Sequence, residues 1–116
     1  MSTKQVVDHH LRAFPAGDLD ETMKDYTDAS VFISPNGVAH GRDEIQEVFT
    51  RLFGSLFAPG SYTLTLDFEH TEGEIAYLLW HADCGGAAIS IGTDTFVIRD
   101  GAIATQTVAL KMEPKG

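Results

Sequence analysis

The spacing of apolar residues predicts two successive helices at the start of the chain. A first helix over residues 3–14 ends at Pro15 and Gly17, which interrupt the helical pattern. Asp18, with Glu21 three residues later, is typical of the N-cap of a short second helix. The inward faces of the two helices are predicted to carry Val6, Val7, His10, Leu11 and Phe14, followed by Leu19, Met23 and Tyr26.

The pattern then changes to a short strand, a third helix and four more strands. Residues 31–34 predict the strand, and apolar residues recur at helical spacing from Ile45 to Leu56. After Pro59 and Gly60 the period falls to two, and short turns separate the strand-like segments. Because such turns join antiparallel neighbours, the pattern predicts an antiparallel meander. The four segments are residues 62–70, 74–83, 87–99 and 102–112.

The order α-α-β-α-β-β-β-β predicts an α+β fold in which helices cover one face of a curved antiparallel sheet. The length of 116 residues fits a single domain over residues 1–116. Seventeen acidic against eight basic residues give a net charge of -9, which disfavours nucleic acid as a partner. Without a long apolar run or a signal-peptide pattern, we expect a soluble cytoplasmic protein that does not bind membranes.

Both alternating sets of side chains in residues 74–83 are largely apolar. One set contains Tyr77, Leu79 and His81, and the other contains Leu78 and Trp80. A sheet with helices on one side should have a polar outer face. We therefore expect Trp80 and Leu78 to lie on an outer face that a second copy of the chain covers, giving a homodimer. Coverage of this face by loops of the same chain is the alternative.

Four segments, "AGDLDETM", "YTDASVFISPNG", "HGRDEIQEVF" and "TDTFVIRDGAI", carry a resemblance that spans nearly the whole chain. In these segments and in element order, the chain resembles the nuclear transport factor 2-like superfamily, in its SnoaL-like polyketide cyclase and ketosteroid isomerase branch. The resemblance implies a cone-shaped fold, often dimeric, whose sheet and helices enclose a pocket for a small hydrophobic or aromatic molecule. It implies acid/base chemistry without a cofactor.

The resemblance also implies a set of site residues. The tyrosine of ketosteroid isomerases falls at His10, their base at Ser34 and their aspartic acid at Asp94. Because a hydroxyl group cannot replace a carboxylate base at neutral pH, a standard steroid isomerase is disfavoured. The residues expected to line the pocket are Phe14, Tyr26, Phe49, Phe53, Tyr77, Leu79, Phe96, Gln106, Val108 and Leu110.

Three residues are the catalytic candidates. We expect His81 to pair with Asp94 and act as acid or base on a small carbonyl compound, with His10 as a proton donor. Such a site suits an isomerase, cyclase or dehydratase. The alternatives are a structural hydrogen bond in a non-catalytic binding module and, less favoured, a protein-docking domain. His9 is expected to be exposed, and the histidine spacing predicts no metal site.

Overall fold

Three helices and six strands form the fold in a computed structural model that describes residues 1–114. The predicted order of elements is confirmed, with one additional short strand after the first. The elements are α1 (Thr3–Ala13), α2 (Leu19–Met23), β1 (Tyr26–Ser34), β2 (Gly37–His40), α3 (Gly41–Phe53), β3 (Thr63–Glu72), β4 (Ile75–Asp83), β5 (Ala87–Arg99) and β6 (Ala102–Pro114).

Side-chain caps fix where the first two helices begin. The Ser2 hydroxyl accepts the backbone N–H of Gln5 at 3.1 Å, while the Gln5 side chain accepts the Ser2 N–H at 2.8 Å. At α2, Asp18 Oδ1 accepts the backbone N–H of Glu21 at 3.1 Å, as its sequence pattern predicts. These bonds satisfy N–H groups that have no partner within the helix. None of the helices among the 114 described residues is long and apolar enough to cross a membrane.

The six strands form one mixed sheet in the order β2-β1-β6-β5-β4-β3. Strands β3 to β6 form the predicted antiparallel meander, whereas β1 runs parallel to β6. This parallel pairing starts at Tyr26, opposite Ile103, so the prediction that Tyr26 belongs to the second helix is wrong. Pairing with a strand distant in sequence outweighs the local helical pattern. The Tyr26 side chain is nevertheless buried.

The pairing of β4 with β5 decides which side chains face the helices. Leu78 lies opposite Asp94, and Trp80 lies opposite Gly92. Directly opposed residues share a face of the sheet, so Leu78 and Trp80 face inward and are 3% and 5% exposed. The prediction that Trp80 and Leu78 lie on the outer face is therefore wrong. A shift of one residue exchanges the faces of a strand, and two apolar faces left the choice open.

A glycine makes room for the inward Trp80. A Cβ atom added to Gly92 would lie 2.3 Å from Cε2 of the indole ring, well inside van der Waals contact. The ring therefore lies directly against the backbone of β5. Only a residue without a side chain permits this approach at that position.

Candidate functional site

A cavity of about 330 Å³ lies between helices α1 and α3 and the inner face of the sheet. Most of its wall is aromatic or aliphatic, including Phe14, Phe49 and Trp80. Such a wall favours a small ligand of low polarity, and a few polar side chains would orient it. The polar residues in the wall are His10, Ser34, Asn36, Asp94 and Gln106.

Asp94 is the acidic group of the cavity wall, and two side chains hold it. The indole N–H of Trp80 donates to Asp94 Oδ1 at 2.8 Å, and Nε2 of Gln106 donates to Asp94 Oδ2 at 2.9 Å. The register of the sheet brings these groups together, because Trp80, Asp94 and Gln106 project inward from β4, β5 and β6. Both Asp94 oxygens are therefore hydrogen-bond acceptors within the protein.

Tyr26 sets the orientation of the Gln106 amide. Its hydroxyl donates to Oε1 of Gln106, which can only accept, so Nε2 is directed toward Asp94. Tyr26 and Gln106 are each 2% exposed, so this arrangement is shielded from water. The hydrogen bonds thus run in one direction, from Tyr26 through Gln106 to Asp94.

Burial controls the ionisation of Asp94. Its location raises the pKa of the carboxyl group from 3.8 to about 6, because burial disfavours the charged form. The hydrogen bonds from Trp80 and Gln106 act in the opposite direction and limit the increase. With that pKa, the carboxylate is the main form at neutral pH. Within residues 1–114, Asp94 forms no ion pair.

His10 is a neutral imidazole in the same wall. Its ring is 4% exposed and packs against Phe14, Phe49 and Phe96, with ring centroids 5.9, 6.1 and 5.3 Å away. Burial, together with the nearby His9, lowers the pKa of His10 to about 4. Its Nδ1 is buried without a hydrogen-bond partner among the described residues. A neutral imidazole has one N–H donor and one acceptor nitrogen, so the described protein leaves hydrogen-bonding capacity of this ring unused.

The structure places His81 away from this cavity. The His81 side chain is 50% exposed, and its Nδ1 lies 2.7 Å from Oδ2 of Asp67. The predicted His81–Asp94 pair is therefore wrong, and so is the expectation that Tyr77 and Leu79 line the pocket. All three residues belong to the outward set of β4, because Leu78 rather than Tyr77 opposes Asp94.

The remaining predicted pocket residues fall into two groups. Phe14, Phe49, Gln106, Val108 and Leu110 lie in the cavity wall, as does Ser34. Three others contact the wall without lining the cavity. Tyr26 hydrogen-bonds Gln106, Phe53 packs against Phe14, and Phe96 packs against His10. The sequence analysis missed Trp80, Leu78, Phe32 and Phe57 as wall residues.

One sequence signal pointed to the inward Trp80. Gly92 interrupts an apolar strand two residues before Asp94, and an isolated glycine in a strand often marks the close approach of another group. Pairing this glycine with the only tryptophan would have set the register of β4 against β5.

His9 is held between two carboxylates, and the prediction that it is solvent-exposed is wrong. Its Nδ1 lies 2.7 Å from Oδ2 of Asp25, and its Nε2 lies 2.9 Å from Oε1 of Glu21. Hydrogen bonds to Glu21 and Asp25 raise the pKa of His9. Burial raises the pKa of Asp25, which is 3% exposed. In the described part of the chain, no group of three or more His, Cys, Asp or Glu residues is arranged to hold a metal ion.

Solved structures with low sequence identity share this architecture. A proposed ketosteroid isomerase from Kribbella flavida is 14% identical, with a TM-score of 0.79 over 98% of this chain and 81% of that chain. A proposed polyketide cyclase from Sinorhizobium meliloti is 18% identical, with a TM-score of 0.77 over 90% and 93% of the two chains. At these identities the similarity establishes the fold alone.

An epoxide hydrolase from M. tuberculosis, of the LEH-like type, also shares the fold. It is 14% identical, with a TM-score of 0.75 over 94% of this chain and 82% of that chain. No curated protein sequence matches the chain significantly. The sequence profile of the SnoaL-like domain matches residues 7–106, which is most of the chain. The chain therefore belongs to the SnoaL-like domain family.

Proposed function

We propose that the protein binds a small hydrophobic carbonyl compound in this cavity and acts on it as an acid/base enzyme of the isomerase, cyclase or dehydratase type, without a cofactor. One observation carries this proposal: a carboxylate, Asp94, lies in the wall of an apolar cavity and is fixed there by two N–H donors. Isolated carboxylates are costly in such surroundings and are often functional where they occur.

In the proposed reaction Asp94 is the base. It takes a proton from the carbon next to the carbonyl group, and the electron pair of the broken C–H bond forms an enolate. A pKa near 6 leaves Asp94 ionised at neutral pH and basic enough to accept this proton. Returning the proton to a different carbon completes an isomerisation, and no oxidant or reductant is needed.

His10 is the proposed electrophilic partner. A neutral imidazole can donate an N–H hydrogen bond to the carbonyl oxygen, where negative charge develops in the enolate. Its burial among aromatic rings keeps it neutral and fixes its direction. Trp80 and Gln106 act through Asp94 and are positioning residues, since they orient its carboxylate.

In this assignment the base stands at Asp94, whereas the family resemblance implies a base at the position of Ser34. Ser34 lies in the cavity wall where the resemblance expects a base, and it carries no carboxylate. Asp94 occupies the position of a proton donor in ketosteroid isomerases. An ionised Asp94 supplies the missing base, and His10 supplies the missing donor. The names of the proposed ketosteroid isomerase and polyketide cyclase among the structural relatives support this reaction class.

A non-catalytic binding module is the second candidate. It is favoured by the hydrogen bonds that Asp94 already makes, because a carboxylate with two N–H partners is also a stable structural element. In that case the network shapes the cavity, and the ligand leaves unchanged.

Deuterium exchange separates the two candidates without knowledge of the product. A panel of small aromatic and alicyclic ketones in D₂O would be followed by NMR for exchange at the carbon next to the carbonyl group. We expect Asp94→Asn to reduce enzyme-dependent exchange about 10²-fold or more and His10→Phe to reduce it less. The matched control His81→Ala should exchange like the parent, because His81 lies outside the cavity.

Two other results of the exchange experiment would contradict the proposed reaction or the role of Asp94 in it. Binding without exchange by the parent supports the binding module, and exchange that persists in Asp94→Asn contradicts the assignment of Asp94 as base.

We also propose a homodimer through the outer face of the sheet. Four large apolar residues there, Phe68, Ile75, Tyr77 and Ile91, are 53%, 49%, 36% and 48% exposed. Apolar residues concentrated on one face of an antiparallel sheet favour contact with another protein surface. The strand β4 contributes Tyr77 to this face, in place of the Trp80 that the sequence analysis expects there.

A further inference from the structure

We infer that the cavity is also a site for small aromatic amines, bound as ammonium ions with the charged group at Asp94 and the ring against the aromatic wall. The inference deepens the proposed function, because it assigns a second ligand class to the same Asp94. It rests on the direction of the hydrogen bonds at Asp94, on a cavity wall in which residues 1–114 place no lysine or arginine beside it, and on the aromatic rings around it.

The hydrogen bonds leave Asp94 with unused acceptor sites. An ionised carboxylate has about four lone-pair positions, and Trp80 and Gln106 each fill one. Because the Gln106 amide is fixed by Tyr26, it presents a donor and cannot accept from a ligand at that position. The part of Asp94 that faces the cavity therefore offers acceptors, so a ligand group with N–H or O–H bonds is favoured.

Within the described part of the chain, no cationic side chain forms an ion pair with this carboxylate. The cavity wall formed by residues 1–114 contains no lysine or arginine, and His10 is neutral. A buried charge gains most from a partner of opposite charge, because the surroundings screen the pair weakly. A ligand that brings its own positive charge supplies that partner, whereas an anionic ligand would be repelled.

The aromatic rings of the cavity wall and the net charge of the protein both add to this preference for a cationic ligand. Phe14, Phe32, Phe49, Phe57 and Trp80 all line the cavity and present aromatic rings to its contents. Ring faces attract ammonium groups, and the ring of an aromatic amine also packs well against them. The net charge of -9 raises the local concentration of cations around the protein.

Two probes of nearly equal shape test the inference. Benzylamine is an ammonium ion at about pH 7.5, and benzyl alcohol is its neutral counterpart. Titration calorimetry on the whole chain should show that benzylamine binds at least about tenfold more tightly than benzyl alcohol. In Asp94→Asn the preference for benzylamine over benzyl alcohol should be lost, because the variant carries no negative charge at this position.

Two measurements on the parent protein keep the test independent of that variant. At about pH 5 the preference for benzylamine should shrink, because Asp94 then takes up a proton. At about 0.5 M salt the preference should largely persist, because a buried pair is poorly screened whereas surface attraction is lost.

The possible failures are distinct. Three results overturn the amine inference and leave the proposed function standing. They are equal binding of the two probes by the parent, a preference for benzylamine that survives in Asp94→Asn, and a preference for benzylamine that disappears in salt. Failure of both probes to bind overturns the amine inference and also removes the ligand cavity on which the proposed function depends.

Discussion

Trp80 donates its indole N–H to Oδ1 of Asp94 at 2.8 Å, from the neighbouring strand of the sheet. The same side chain lines the cavity and packs against Phe57, with ring centroids 6.2 Å apart. One aromatic residue thus forms part of the ligand-facing wall and orients the group that we propose as the base. Because the two functions share one side chain, the position of Trp80 links the shape of the cavity to the acidity of Asp94.

Replacing Asp94 with asparagine should change how stability depends on pH. The folded-state pKa of Asp94 is raised from 3.8 to about 6. Compared with a carboxyl group whose pKa does not change on folding, Asp94 therefore adds to the free energy of unfolding. This added stability is fully present below the unfolded pKa of 3.8 and is lost as pH rises through about 6. Relative to Asp94→Asn, the parent should lose about 2 kcal/mol between about pH 4 and pH 7.

Urea denaturation at three pH values across that interval measures this difference. Asp20→Asn is the matched control, because it removes an exposed carboxylate far from the cavity. A stability difference between parent and Asp94→Asn that stays constant with pH would contradict the raised pKa.

A methyl group at Gly92 should displace Trp80. The added Cβ would lie 2.3 Å from the indole ring, so either the ring or the strand must move. We expect Gly92→Ala to lower the free energy of unfolding by about 1–3 kcal/mol and to alter the fluorescence of Trp80. Gly86→Ala is the control, since no atom lies within 4 Å of a Cβ there. Equal thermal stability of the two variants would show that the close approach is unimportant.

Removing the His9 side chain should destabilise the junction between α1 and α2. The buried Asp25 would lose its hydrogen-bond partner, which costs about 1–3 kcal/mol. Because the folded-state pKa of His9 is raised, the contribution of its charge is present below the unfolded pKa of 6.5 and is lost as pH rises through the folded value.

The cost of His9→Ala should therefore be larger at about pH 6 than at about pH 9, as measured by chemical denaturation. His70→Ala is the matched control, because the His70 side chain is 60% exposed and, within residues 1–114, hydrogen-bonds only the exposed Glu72. A cost for His9→Ala that grows with pH would contradict the paired arrangement.

A charge on the outer face of the sheet should prevent dimerisation. We expect the parent to have twice the mass of one chain by light scattering and Ile91→Glu to have the mass of a single chain, because a buried unpaired carboxylate is costly. Thr50→Glu, on the exposed surface of α3, should leave the parent's mass unchanged. A parent protein with the mass of one chain would refute the homodimer.

Local patterns and the family resemblance together predicted part of the site. The helical face of α1 and the resemblance predicted that His10 points inward, and the predicted hairpin of the last two strands placed Asp94 and Gln106 on one face. The partners of His9 could not be predicted in this way. Glu21 lies in α2 and Asp25 in the turn after it, and the bend between α1 and α2 determines whether their side chains reach the ring.

The sequence by itself determined the fold class, the helix cap at Asp18 and the four-strand meander, because capping and periodicity are properties of neighbouring residues. Tertiary structure alone decided the parallel pairing of β1 with β6 and the inward face of β4. Both faces of β4 are apolar, so alternation could not distinguish them. The register with β5 and the space above Gly92 resolved the choice, directing Trp80 to Asp94 and His81 to the surface.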